Sequence, residues 1–295
     1  MKKAVSINYH IMMLPAIVLL GIFSIYPLFG LMIAFQDFNP GKGIWGSEFI
    51  GLENFQYMFE IPEIKQVFVN TLSIAVLKIL FTQVIALVFA LMLNEMKNVF
   101  FKKSIQTIVY LPHFISWVLL GGIVINVLSL DGIVNNTLAG LGLDRIFFLG
   151  SNNLFPGILV GSHVWQEFGF SAIIYLAALT GINPSLYEAA AIDGATRMQR
   201  LTNVTLPAIM TTIILLLTLD LQNVLNAGFE QILNLYNPMV YESGDIIDTY
   251  VYRAGLKEFQ YELATAVGLL KSGVSFILIT VSYFLASKFA NYRIF

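Results

Sequence analysis

Glu188-Ala189-Ala190-Ala191-Ile192-Asp193-Gly194-Ala195 sets one carboxylate among small side chains, and Leu206-Pro207 follows shortly after. Coiled as a helix, Glu188 and Ala191-Ile192 lie on adjoining faces at i, i+3, i+4 spacing. The alanines let a neighbouring surface come close, Glu188 offers a charge-assisted hydrogen bond, and Gly194 admits another backbone. Such a helix is suited to docking rather than to bond-breaking. An amphipathic connector between two apolar segments is the alternative.

A second group of residues sits inside long apolar stretches. Lys78, Glu167, Asp220 and Lys271 are each costly in hydrocarbon unless paired or facing water. Trp165 and Tyr175 flank Glu167 along the chain, and Gln222, Asn223 and Asn226 follow Asp220. Aromatic faces beside hydroxyl-bonding groups suit a pyranose ring, whose C–H surface stacks while its hydroxyls need partners. Trp165, Glu167, Tyr175, Asp220, Asn223 and Asn226 are therefore candidates for lining a sugar path, with helix-to-helix glue as the structural alternative. Lys78 and Lys271 either snorkel or pair with an acid. Gly157 and Gly161 have the spacing of a helix-packing pair.

The surroundings of these residues are those of a bilayer. Of 295 positions 57% are hydrophobic and only 12% charged, against about 25% charged in soluble domains. A net charge of -2 without a basic stripe gives no reason to expect nucleic acid. The absence of cysteine excludes disulfides, thiolate metal sites and thiol catalysis. His10, His113 and His163 are scattered without ligand spacing, so no metal site is expected.

A helix needs roughly 17–25 residues to cross the hydrocarbon core. Apolar runs of that length fall at about 11–36, 67–93, 105–129, 155–180, 205–228 and 264–287, predicting an all-α membrane protein with six transmembrane helices in one domain over 1–295. The first run has no small-residue cleavage site and is read as a retained span. Lys2, Lys3, Lys97, Lys102, Lys103, Arg197, Arg200, Lys288 and Arg293 gather on one side, against Lys42, Lys65, Arg145, Arg253 and Lys257 on the other. The positive-inside bias puts both termini, and the loop at about 181–204, in the cytoplasm. Within that loop a helix is expected from Tyr187 to Thr196, with Pro184 and Ser185 as start signals. The long outer segment at about 229–263 is rich in Tyr and acids and is expected to receive the binding protein, with 37–66 helping, or else to form a lid that only packs on the membrane face.

Glu188-Ala189-Ala190, Gly194-Ala195 and Leu206-Pro207 together resemble the EAA loop of permease subunits in binding-protein-dependent ABC importers. Gly51-Leu52-Glu53-Asn54-Phe55, Asn70-Thr71, Leu111-Pro112 and Asn183-Pro184-Ser185-Leu186-Tyr187 are similar to the carbohydrate branch, which includes the maltose-system permeases. Pro112-His113-Phe114-Ile115-Ser116-Trp117, Asn226-Ala227-Gly228-Phe229-Glu230-Gln231 and Ile247-Asp248-Thr249-Tyr250-Val251-Tyr252-Arg253 resemble the subgroup that imports oligosaccharides or polysaccharide fragments. Leu201 stands where the family often has Phe, and Thr211 where a second Pro commonly follows.

The resemblance implies a type I importer permease fold in a bacterial cytoplasmic (inner) membrane, with a coupling helix carrying Glu188, Ala189, Ala190, Asp193, Gly194 and Ala195. It implies a second permease subunit, usually a different chain, a cytoplasmic ABC ATPase dimer and an extracytoplasmic solute-binding protein, with an oligosaccharide as cargo. Another solute, such as a polyol, glycerol phosphate or peptide, is the alternative cargo. Gly41-Lys42 is followed by Gly43 and forms no phosphate-binding loop, so the chain is not expected to be an enzyme; ATP and Mg belong to the partner. An intramembrane enzyme or a secondary transporter finds no supporting motif.

Overall fold

The computed structural model describes residues 2–222 and 224–289, and nearly all of its regular structure is helical. In chain order, α1 (Lys2–Leu20) continues through a π-helical turn, Gly21–Ile25, into a 3-10 segment, Tyr26–Phe35. Helix α2 (Pro62–Glu95) has 34 residues, about 50 Å at 1.5 Å per residue, and so outreaches a hydrocarbon core of about 30 Å. It is followed by α3 (Val99–Tyr110), α4 (Trp117–Leu128), α5 (Phe155–Thr180), α6 (Pro184–Ile192), α7 (Leu206–Gln222), α8 (Phe229–Leu235) and α9 (Tyr261–Phe289). Among the described residues five helical stretches are long and apolar enough to cross a membrane, and six when α5 and α6, bent by 67° at their junction, count as one.

The run expected as one span at 105–129 is divided. Asn98 caps α3 by accepting the Phe101 N–H at 3.1 Å, and the helix tightens into a 3-10 turn at Leu111–Phe114. Pro112 has no N–H to continue the ladder, Ile115 and Ser116 are extended, and α4 starts afresh at Trp117.

The chain forms two compact units. One comprises residues 1–64 and 250–272. In it Gln36–Asp37 pairs antiparallel with Glu48–Phe49, and the Asn54 amide donates to the carbonyls of Ala34 at 3.1 Å and Gln36 at 2.9 Å. Phe35 packs between Phe49 and Phe55. Arg253 bridges Glu63 at 2.7 Å and Glu258 at 3.3 Å, tying the short π-helical segment Arg253–Lys257 to the start of α2.

The other unit, residues 65–249 and 273–295, holds the polar residues of interest. Its core joins α2, α5 and α7 where Ala86, Ala90 and Ala172 let Tyr175, Leu179, Ile209 and Leu216 pack together. Small side chains allow that approach without a void. Helix α3 crosses α5 more closely still: a Cβ on Gly169 would lie 2.4 Å from the Val109 carbonyl oxygen. Gly157 and Gly161, by contrast, have nothing within 4 Å of a built Cβ. Their expected helix-packing role is not met within the described residues; they floor an open apolar groove instead.

Candidate functional site

The Glu188 loop is a capped, rigid turn of helix. Its start is one signal earlier than expected: Asn183 is the cap, accepting the Ser185 N–H at 3.0 Å, and Pro184 fills the first helical position, where a missing N–H costs nothing. The helix therefore runs Pro184–Ile192 rather than 187–196. It ends in a Schellman motif, with Ala195 N–H to Ala190 O at 2.9 Å and Gly194 N–H to Ala191 O at 3.1 Å. Gly194 supplies the left-handed residue this closure requires, at φ 74°. No chain atom approaches its Cβ position, so its glycine is explained by backbone conformation without any packed neighbour.

Beyond it, Thr196 and Gln199 form a reciprocal capping box that starts a second short helix, Arg197–Arg200. A π-helical turn, Leu201–Thr205, leads into α7. Tyr187 OH meets Thr205 Oγ1 at 3.0 Å, so the loop helix is fastened to the base of α7. Glu188, Ala189, Asp193 and Gly194 are exposed, Ala190 and Ala195 half-buried, and Ile192 is 86% exposed. A stiff helix presents an acid, alanines and an isoleucine outward.

The residues proposed along a sugar path separate into distinct places. Glu167 meets His113, Nδ1 to Oε2 at 2.9 Å, and both stay about a quarter exposed. The His113 ring stacks on Phe170, and Phe114 stands edge-on to both rings. Phe114 is 74% exposed, so a carboxylate, an imidazole and an open aromatic face share one surface at the break between α3 and α4. Sequence reasoning set His113 aside. Its signal was Leu111-Pro112, which breaks the helix and turns the following side chains toward α5.

Trp165 does not join them. Two residues are about 200° apart around a helix, and Trp165 faces a groove of about 540 Å³ whose walls include Phe81, Val164 and Phe168. Its lining residues are apolar or aromatic, with the Trp165 indole N–H as the one side-chain polar group, which offers a sugar's several hydroxyls little to bond.

Tyr175 and Asp220 are brought together through Gln83, which the sequence did not single out. The Tyr175 hydroxyl donates to the Gln83 amide oxygen, and the Gln83 amide nitrogen donates to Asp220 at 2.5 Å. Tyr175 is fully buried and Asp220 half-buried, so this chain of bonds spends its polar atoms linking α5, α2 and α7. Asn226 is exposed; Asn223 lies outside the described residues.

Lys78 does not snorkel, and its hydrogen bonds go to a carbonyl and an amide rather than to a carboxylate. It is buried in α2, donating to the Ala227 carbonyl at 2.5 Å and to the Gln231 side-chain oxygen. The Gln231 amide then donates to Leu159 O and Ser162 Oγ, both at 2.8 Å. Gly228, at φ 96°, brings the backbone against Lys78: a Cβ there would sit 3.0 Å from Nζ. One lysine thus holds the chain break after α7 and the start of α8 against α2 and, through Gln231, α5.

Of the outer segment expected at about 229–263, the part from 229 to 249 packs nine of its 21 residues into the interior. Ile232, Val240, Ile246 and Ile247 are fully buried, and Asp245 is 1% exposed, taking a hydrogen bond from Thr249. Asn70 in α2 donates to the carbonyls of Glu242 and Asp245. Asp245 is therefore unavailable to a partner; Met239 remains exposed. Among the described residues no group of His, Asp and Glu is arranged to hold a metal ion.

Comparison with known proteins places this architecture. Residues 83–291 match the family described as the binding-protein-dependent transport system inner membrane component. The polygalacturonan/rhamnogalacturonan transport system permease protein YteP of Bacillus subtilis (strain 168) is 39% identical over 97% of this chain and 89% of its own length. Protein LplB of the same organism is 38% identical over 97% and 90%. A chain from the crystal structure of a bacterial ABC transporter involved in the import of the acidic polysaccharide alginate superposes with a TM-score of 0.88 at 40% identity, covering 97% of this chain and 98% of that one. A second, from the alginate transporter in complex with an alginate pentasaccharide-bound periplasmic protein, gives 0.88 at 38% identity over 99% of each. A match over most of the chain, on a bundle of apolar helices, makes this protein a member of the binding-protein-dependent transport system inner membrane components, the permeases of ABC importers.

Proposed function

We propose that the chain is the membrane permease of an ATP-driven importer of oligosaccharides or polysaccharide fragments, and that Pro184–Ile192 is its coupling helix. In this reading both termini and the Glu188 loop face the cytoplasm, as the distribution of Lys and Arg favours. A separate ABC ATPase dimer, which holds ATP and Mg, docks on Glu188, Ala189, Ala190, Asp193, Gly194 and Ala195. A second permease subunit, a different chain, completes the passage, and a binding protein delivers the sugar.

The observation that carries this reading is the outward-facing, doubly capped helix fastened to α7 through Tyr187 and Thr205. A rigid element clamped at its base and open along its face converts displacement of a docked partner into movement of α5 and α7. Glu188 contributes a charge-assisted hydrogen bond of about 1.5–3 kcal/mol to that partner. Sugar hydroxyls are served at the α3–α4 break by Glu167 and His113, with Phe114 as the stacking face. The cargo class follows from relatives alike over nearly their whole length that carry polygalacturonan, rhamnogalacturonan or alginate.

Reconstitution with the partner subunits in sealed vesicles tests this. ATP-dependent accumulation of an oligosaccharide delivered by its binding protein is expected; solute movement without any ATPase subunit would refute it.

A further inference from the structure

Beside the Glu188 loop lies a cavity of about 500 Å³ that no transport step above uses. The end of α2 forms one wall, Tyr187 another, and the Arg197–Arg200 turn with its π-helical continuation the third. Two guanidiniums line it. Arg200 is half-buried, with Nε fully buried and no hydrogen-bond partner. Among the described residues neither arginine enters an ion pair, although Glu95 lines the same space.

We propose that this cavity binds a phosphate-bearing anion. Guanidinium forks match phosphate oxygens two at a time, and a buried unsatisfied N–H on a charged group calls for an acceptor. The two arginines and Glu95 together leave one net positive charge, which a single phosphodiester neutralises. Asn94 adds an amide to the same wall. The remaining lining is carbon: Leu91, Met92, Met198 and Leu201. Met92 and Met198 are largely exposed, so the cavity mouth offers apolar surface next to its charge. That combination favours a phospholipid headgroup over free phosphate as the source. An occupant lies between the end of α2 and the base of the loop helix, next to the Tyr187–Thr205 bond, and so restrains the loop's movement. This consequence rests on the coupling reading above; binding itself does not.

Binding is measured on the assembled transporter in nanodiscs. The probes are phosphatidylglycerol in a phosphatidylcholine background, followed by native mass spectrometry, and inorganic phosphate in phosphatidylcholine alone, followed by calorimetry. Replacing both arginines (Arg197→Gln with Arg200→Gln) is expected to weaken binding at least about tenfold, the loss that goes with charge-assisted hydrogen bonds. Arg200→Lys alone, which keeps the charge and loses the fork, falls between. Lys102→Gln with Lys103→Gln, outside the cavity, leaves binding unchanged. Phosphate binding that the double variant loses supports the site and names the free anion as its source; lipid binding lost in the same way names the headgroup. Failure of the wild type to bind either probe overturns the proposal, as does equal binding by wild type and a folded double variant. If the double variant does not fold, Arg200→Lys decides: unaltered affinity overturns the site. Specific binding in a transporter that imports no sugar would refute the functional reading alone.

Discussion

The His113 imidazole lies flat on the Phe170 ring, centroids 4.0 Å apart and planes 3° from parallel, with Nδ1 turned to Glu167. Stacking fixes the ring plane, and the carboxylate fixes its rotation. Phe114 then stands exposed beside a preset polar pair. Phe114→Ala is expected to raise the KM for oligosaccharide uptake about tenfold, the scale of one lost stacking face, while melting changes little. Uptake kinetics in vesicles check this; an unaltered KM takes the α3–α4 break off the sugar path.

Lys78 and Gln231 make a second prediction, on stability. Lys78→Met strands the acceptors on Ala227 and Gln231, and Gln231→Leu strands the Lys78 donor with the Leu159 carbonyl, at about 1–3 kcal/mol. Lys78→Met and Gln231→Leu should each destabilise by that amount, and the double variant by less than the sum. Denaturation of the purified protein in detergent measures all three. Strict additivity would mean the two side chains do not interact.

Glycines divide by what surrounds them. Gly169→Ala drives a methyl against Val109 O and is expected to cost about 1–3 kcal/mol by overpacking. Gly157→Ala meets nothing and should stay within about 0.5 kcal/mol. Comparable losses at both would contradict the close α3–α5 crossing.

Gly194 tests the lever's closure. Gly194→Ala places a Cβ on a left-handed residue, at a cost of about 1–2 kcal/mol, whereas Gly194→Asn keeps access to that conformation. ATP hydrolysis and uptake are expected to uncouple in the alanine variant and to stay linked in the asparagine variant. If both behave as wild type, the Schellman closure has no mechanical role.

Much of this was legible from residue order. Runs of apolar side chains marked the spans, and Glu188-Ala189-Ala190 with Gly194 marked the loop helix, because membrane length and helix termination are local rules. The break at Pro112 was visible as a proline but was absorbed into a single hydropathy peak, since hydrophobicity does not register a missing N–H. Lys78, Gln83 and Gln231 were opaque for another reason. Their partners lie far along the chain, 137 residues away for Gln83 and 153 for Lys78, and no spacing rule connects them. Asp245 misled because an acid in a polar-looking segment reads as surface until Thr249 and Asn70 are seen around it.

The central claim is that Pro184–Ile192 receives force from an ATP-hydrolysing partner. A photo-crosslinking residue at Ile192, which is 86% exposed, tests it in the assembled transporter. Capture of the nucleotide-binding subunit, with yield changing between ATP-bound and nucleotide-free states, is the expected result. Capture of lipid alone, or labelling of Ile192 by a reagent confined to the cell exterior, would contradict it.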